Sequence, residues 1–196
     1  METSQKLITA AAVAAMGFSL LITGASASDE IGTARKAVGE LAGSLKKSLG
    51  DALSAGGPVG ALAACRVIAP EAAQNVSAAH ALSIKRTALR LRNPDNAPDE
   101  HERRVLESFV EQIKAGADPM QLENTEVIEA EGNRTLRYMK PIMMAEKPCA
   151  ACHGSSINPE VTAAISEIYP KDAATNFAPG DVRGAFSVTV PLPRNP

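Results

Sequence analysis

Apolar residues recur three or four apart between Asp29 and Ala55, at Val38, Leu41, Leu45, Leu49 and Leu53, while Lys36, Lys46 and Lys47 fall off that stripe. This spacing predicts one long amphipathic helix. The stripe suits either a core or a surface between two copies. Gly56-Gly57-Pro58 stops the helix, and Pro58 can open a second one through Ala61 to Cys65. Pro70-Glu71 starts a short helix to about His80. Leu82 and Ile84 then alternate with polar residues, as in a strand, before a turn over Arg92 to Pro98. Acidic Asp99, Glu100 and Glu102 mark a helix start, Val105, Leu106, Phe109, Val110 and Ile113 give that helix its buried face, and Gly116 ends it. Thr125 to Glu131 and Thr135 to Met144 predict two strands joined at Gly132-Asn133. Pro159 to Tyr169 predicts a helix, and Arg183 to Pro191 a last strand with Phe186, Val188 and Val190 on one side. Strands separated by helices without a repeated βαβ unit predict an α+β fold with an antiparallel sheet, flanked by helices and preceded by the long one.

The start of the chain changes the compartment. Lys6 precedes an apolar run from Leu7 to Ile22, and Ala25-Ser26-Ala27 supplies small residues for a cut. Residues 1–27 therefore read as a secretory signal peptide, with an uncleaved anchor as the alternative. No second apolar run is long enough to span a bilayer, so the expectation is a periplasmic protein with no stable membrane insertion after cleavage. Residues 28–57 would carry the long helix and residues 58–196 the main domain. The formal charge of −2 comes with no basic patch and no aromatic platform, which excludes nucleic acid as the expected partner. There is no Trp, and only two Tyr and four Phe. A flat apolar cofactor would supply surface that such a core lacks.

Candidate chemistry concentrates at Cys149-Ala150-Ala151-Cys152-His153, a Cys-x-x-Cys-His attachment signature for one covalently bound haem c. The two thiols add across the haem vinyl groups as thioethers, and the next residue turns its imidazole onto the iron. On a helical turn, positions three and four apart share a face, so Cys149, Cys152 and His153 can converge on one flat ligand. Pro148 suits the first turn of that segment. Three other readings compete. A thioredoxin-like pair belongs early in a βαβ pattern. Structural zinc wants a second closely spaced ligand pair, whereas Cys65, His80 and His101 are scattered singly. A local disulfide is the third.

Cys65 is the odd cysteine. By spacing it is a small buried hydrophobe on a face with Val59 and Leu62. By chemistry it is a free thiol that needs burial, pairing between chains or a metal. His80 and His101 read as surface or capping histidines. Arg134, Arg137 and Lys140 bring positive charge near the motif in sequence and could pair haem propionates, or form a solvated strand face. Met139, Met143 and Met144 offer thioether ligands or adaptable packing.

Several segments together resemble a known family. They are Cys65-Arg66-Val67 with Ala69-Pro70-Glu71, Ile84-Lys85-Arg86-Thr87 leading to Leu91-Arg92-Asn93-Pro94-Asp95-Asn96-Ala97-Pro98, the Cys149 to Gly154 motif, and Gly180-Asp181-Val182-Arg183-Gly184-Ala185-Phe186-Ser187-Val188. The chain is similar to a family of exported, PAS-like haem c proteins of cyanobacterial type. The resemblance implies a PAS-like antiparallel sheet, iron held by His153 and by a cysteine corresponding to Cys65, and a long first helix that can serve a homodimer. It implies no settled role. A thiolate ligand favours Fe(III), so a low potential is expected. Two functions stay open, neither of them enzymatic. One is electron transfer or redox sensing with a redox or signalling partner protein. The other is sensing of a diatomic gas such as NO or CO through a partner. Peroxidase-like chemistry is a weak third.

Overall fold

The computed structural model describes residues 27–193, so the expected signal peptide lies outside the described residues save for Ala27. The first element, α1 (Ala27–His80), is interrupted at Gly57, whose φ of 62° and ψ of −167° leave the helical region. A straight helix would hold residues 40 apart at about 60 Å, yet the Glu40 carboxylate lies 2.7 Å from His80 Nε2. The helix therefore folds back at Gly57 into two arms. The left-handed φ at that position explains why glycine occupies it. The predicted stop and restart at Gly56-Gly57-Pro58 are both present, and Pro70 is absorbed into the second arm without breaking it. Part of α1 has the length and mean hydropathy of a membrane span, against the sequence expectation. Of that apolar stretch 17% is buried, and residues of both arms pack on the sheet.

The sheet has four strands in the order β1-β4-β3-β2, all antiparallel. They are β1 (Ser83–Thr87), β2 (Asn124–Ala130), β3 (Asn133–Met143) and β4 (Val182–Leu192). The β2–β3 hairpin turns at Glu131 and Gly132, both with positive φ, one residue earlier than expected. Ile84, Val188 and Tyr138 stand side by side in register, and with Leu136, Phe186 and Val190 they bury against Ala34, Ala37, Val38 and Leu41 of the first arm and Ala72 and Val76 of the second. The Val38 and Leu41 end of the predicted stripe is thus core. Leu49 and Leu53, beyond the sheet, are only half-buried.

The other face of the sheet is covered by α2 (Glu100–Lys114), capped by Asp99, whose carboxylate accepts the Glu102 N–H while Glu102 accepts the Asp99 N–H. Val105, Leu106 and Phe109 pack there on Met139, Ala185 and Leu122. His101 is a correction to the sequence reading. It is buried beneath this helix, 6% exposed, with Nδ1 3.2 Å from Glu126, because the first turn of α2 lies against the sheet. His80 is also mostly covered, through its contact with Glu40. Between β3 and β4 the chain makes two short helices, α3 (Ala150–His153) and α4 (Pro159–Ile168), then a loop back to the sheet.

Candidate functional site

The Cys149 to His153 segment forms the expected helical turn. The Cys149 carbonyl accepts the Cys152 N–H at 3.1 Å and the His153 N–H at 2.9 Å, and Gly154 N–H closes on the Ala150 carbonyl at 3.0 Å. A side chain at Gly154 would place its Cβ 2.7 Å from that same carbonyl oxygen, so only glycine allows so tight an exit. Both thiols are half-buried and free, as is Cys65. Cys149 packs with Met144, Ala174 and Phe177, and Cys152 with Leu62 of α1 and with Val161 and Ile165 of α4. Leu62 is one turn from Cys65, so the second arm of α1 brings Cys65 alongside the motif. Burial pushes the thiols of Cys65 and Cys152 up from the ordinary cysteine value.

His153 is held by the loop that follows α4. The His153 carbonyl accepts the Phe177 N–H at 3.0 Å and the Gly154 carbonyl accepts the Asn176 N–H at 2.9 Å. Nδ1 lies 2.6 Å from the Ala174 carbonyl. A carbonyl can only accept, so Nδ1 carries the proton and Nε2 keeps its lone pair, with no hydrogen-bond partner among the described residues. Arg183 Nε also approaches Nδ1, at 3.2 Å, but a protonated Nδ1 cannot accept from it. Burial, with the charges of Arg183 and Arg92, lowers the His153 pKa to about 3, so the imidazole is neutral. Phe177 meets the ring edge-on, with centroids 6.4 Å apart.

The Arg92-Asn93-Pro94 loop has a structural task that its sequence did not disclose. Arg92 donates to the Cys152 carbonyl at 2.6 Å and the Ala174 carbonyl at 3.3 Å, and pairs with Asp172 at 3.1 and 3.2 Å. One guanidinium thereby joins the motif to the loop that orients His153. Arg92 and Asp172 are 10% and 7% exposed, so this is a buried ion pair. Three further arginines gather around it. Arg183 and Arg90 stack on Phe177, at 5.3 and 4.0 Å from the ring centroid, and donate to backbone carbonyls, those of Arg90 and Ala173. Arg86 makes no hydrogen bond or ion pair with any described residue. Burial depresses the Arg183 pKa to about 10, with Arg92 and Arg86 adding to the effect, and burial lowers that of Arg86 too.

The cations expected from the sequence lie elsewhere. Arg134 pairs with Glu129, Arg137 with Asp99 and Glu102, and Lys140 donates to the Met120 carbonyl. Alternation along β3 turns Arg137 under α2, where Met139 is also wholly buried and unavailable as a ligand. Met144 does reach the motif, as packing against Cys149. Arg86, Arg90, Arg92 and Arg183 were missed because they are spread over nearly a hundred positions. The one available signal was the group of arginines between Arg86 and Arg92.

Among the described residues, no three His, Cys, Asp or Glu side chains stand close enough to hold a bare metal ion. A porphyrin asks less of the protein, since it supplies four donors itself and needs only axial ones. Two thiols on one turn, an imidazole with Nε2 available and a surplus of guanidiniums near an apolar face fit such a ligand with carboxylate tails.

Comparison with known proteins agrees with this architecture. No curated protein matches the chain. One solved structure, that of the cyanobacterial heme-protein Tll0287, superposes with a TM-score of 0.63 at 23% identity, covering 87% of this chain and all of that one. The sequence profile of the Tll0287-like family matches residues 8–191, and the chain belongs to that family.

Proposed function

We propose that this chain is an exported, PAS-like monohaem c protein with a redox role. Cys149 and Cys152 would hold the haem through thioethers, and His153 Nε2 and Cys65 on the second arm of α1 would ligate its iron. The observation that carries the reading is the His153 geometry. Its Nδ1 proton is committed to the Ala174 carbonyl, so the neutral ring offers Nε2 in a fixed direction from the same turn that presents the two thiols. The family assignment supports the cofactor, as does the structural neighbour, a heme protein. Bound haem supplies a one-electron couple. The protein's part is to fix the imidazole through Ala174, tie the motif to its loop through Arg92, and cover the site with Leu62, Val161 and Ile165. Attachment of haem c outside the cytoplasm agrees with the expected leader. Both support a periplasmic protein that passes electrons to or from a partner.

A sensing role, for redox state or for a gas such as NO or CO, has one observation in its favour. Cys65 belongs to α1, whereas His153 is strapped by the loop after α4, so the two expected ligands are carried by separate elements. Optical titration of the reduced, haem-loaded protein with CO separates the two roles. A shifted Soret band at low CO means that the Cys65 position opens on reduction and favours sensing. No shift at saturating CO means that both ligands hold and favours electron transfer. Haem that washes out in denaturant, with both cysteines intact, would overturn covalent attachment.

A further inference from the structure

His153 Nδ1 faces two groups that ask opposite things of it. The Ala174 carbonyl, 2.6 Å away, needs a proton from it, and Arg183 Nε, 3.2 Å away, offers one. One ring nitrogen can answer only one of them. With Nδ1 protonated and Nε2 free, the Arg183 N–H is left aimed at another N–H. Arg183 is nonetheless fixed there by its other contacts. Its Nη1 donates to the Arg90 carbonyl at 3.3 Å, and its guanidinium lies 5.3 Å from the Phe177 centroid. The strand beneath it is fixed as well. A Cβ at Gly184 would lie 2.5 Å from the Thr87 carbonyl oxygen, so only glycine lets β4 sit so close to the end of β1. Arg183 forms no ion pair with a carboxylate among the described residues.

We propose that Arg183 is a positioning residue acting through His153: its guanidinium, held behind Nδ1, draws electron density away from Nε2, weakens donation to Fe(III) and raises the midpoint potential of the haem-loaded protein. The proposal rests on His153 being an axial ligand. The Ala174 carbonyl acts in the other direction, because an acceptor on Nδ1–H makes Nε2 the stronger donor. A full positive charge at hydrogen-bond distance from the same nitrogen opposes it. The two contacts therefore have separate tasks. Ala174 fixes the tautomer and the direction of the ring, and Arg183 limits the strength of the ligand so directed. Arg90 provides the contrast. It stacks on the same Phe177 ring, at 4.0 Å, and also lacks an acid, but its hydrogen bond goes to the Ala173 carbonyl and not to the imidazole. Arg92 is answered by Asp172.

The test is a redox titration of haem-loaded protein carrying Arg183→Gln, Arg183→Lys or Arg90→Gln, with the Nδ1–H resonance of His153 followed by proton NMR of the reduced form. Arg183→Gln should lower the midpoint potential and move the resonance. Arg183→Lys keeps the charge and should restore most of the potential. Arg90→Gln should shift the potential by less than half as much and leave the resonance in place. Equal potential shifts from Arg183→Gln and Arg90→Gln would mean that the charge acts on the haem as a whole, a propionate included, and not through His153. No shift from Arg183→Gln would mean that the charge is screened, and a potential in Arg183→Lys as low as in Arg183→Gln would assign the effect to lost packing. Each of these overturns the proposal while leaving His153 on the iron. Electron–nuclear double resonance of the ferric protein with isotope-labelled histidine checks the ligand itself. The absence of a histidine nitrogen on the iron would remove His153 from the ligand set, and the proposal with it.

Discussion

Two charged clusters flank the sheet, and they are balanced differently. Beneath α2, every cation has a carboxylate. Arg137 meets Asp99 at 2.7 Å and Glu102 at 3.4 Å, and Lys85 meets Glu102 at 2.9 Å. Around Cys149 to His153, four arginines share one acid, Asp172. Buried charges that serve only the fold are expected to be paired, since an unpaired one costs several kcal/mol. The α2 cluster obeys that rule within the polypeptide. The motif cluster departs from it, and the departure is largest at Arg86, which makes no ion pair or hydrogen bond with any described residue. An imbalance of this kind at one place, with the opposite practice on the other face of the same sheet, fits a ligand that carries negative charge.

The largest effect that tests this contrast is at Arg92, the one cation of the motif cluster that is paired. Arg92→Ala leaves Asp172 buried and alone and removes the donor from the Cys152 and Ala174 carbonyls. The expected cost is about 3–5 kcal/mol, read by denaturant unfolding, with haem incorporation falling as the loop loosens. A cost near zero would mean that the pair is solvated and the two clusters are alike. Gly154→Ala comes next. The added Cβ meets the Ala150 carbonyl at 2.7 Å, a backbone atom that cannot swing aside, and should cost about 1–3 kcal/mol. Normal stability and full haem attachment in that variant would show that α3 can end in another way.

On the α2 side the expected effects are smaller and depend on pH. Asp99→Ala removes the cap of α2 and should cost about 1 kcal/mol. Burial acts to raise the Asp99 pKa, but the Glu102 N–H, Arg137 and Lys85 outweigh it and hold the carboxyl below its ordinary value. On the α1 side of the sheet, Arg35 holds Glu123 low in the same way, with burial opposing and the Tyr138 O–H assisting. A carboxyl depressed in the folded state contributes stability that is complete above its unfolded pKa, about 4, and is lost as pH falls through the folded value. Thermal melting should therefore be flat above about pH 5 and decline below about pH 4. Asp99→Asn and Glu123→Gln should flatten that decline. An unchanged acid limb in the double variant would assign acid sensitivity to other groups.

What the sequence disclosed and what it hid follow from the same physics. Period and punctuation are local, so the break of α1 at Gly57, the capped α2, the hairpin and the Cys149 to His153 turn were all legible, whereas the separate helix expected from Pro70 is part of the second arm. Alanine blurred one detail: Ala34 and Ala37, fully buried under the sheet, drop out of a stripe defined by large residues. Which charged residues would meet at the site was not legible. Nearness along the chain favoured Arg134, Arg137 and Lys140, but strand alternation and the hairpin send them elsewhere. The residues that do arrive come from β1, the loop after it and the start of β4, brought together by the pairing of β1 with β4. His101 was misplaced for a related reason. Acidic neighbours in a first helical turn suggest solvent, but here they form the cap and the ion pairs of a buried cluster.

The smallest expected effect is the most discriminating. In protein made without haem, Arg86→Gln removes a partly buried charge that forms no bond with any described residue. It should leave the melting temperature unchanged or slightly higher, because a desolvated cation has been replaced by a neutral side chain. In haem-loaded protein the same substitution should lower the melting temperature, because an attractive pair with bound negative charge is lost. A fall without haem comparable to that of Arg92→Ala would mean that Arg86 has its partner within the polypeptide, and the asymmetry between the two clusters would then be only apparent. Opposite responses in the two forms would tie the unpaired arginine to the ligand, the sense in which the charges on one face of this sheet are paired within the chain and those on the other are not all paired.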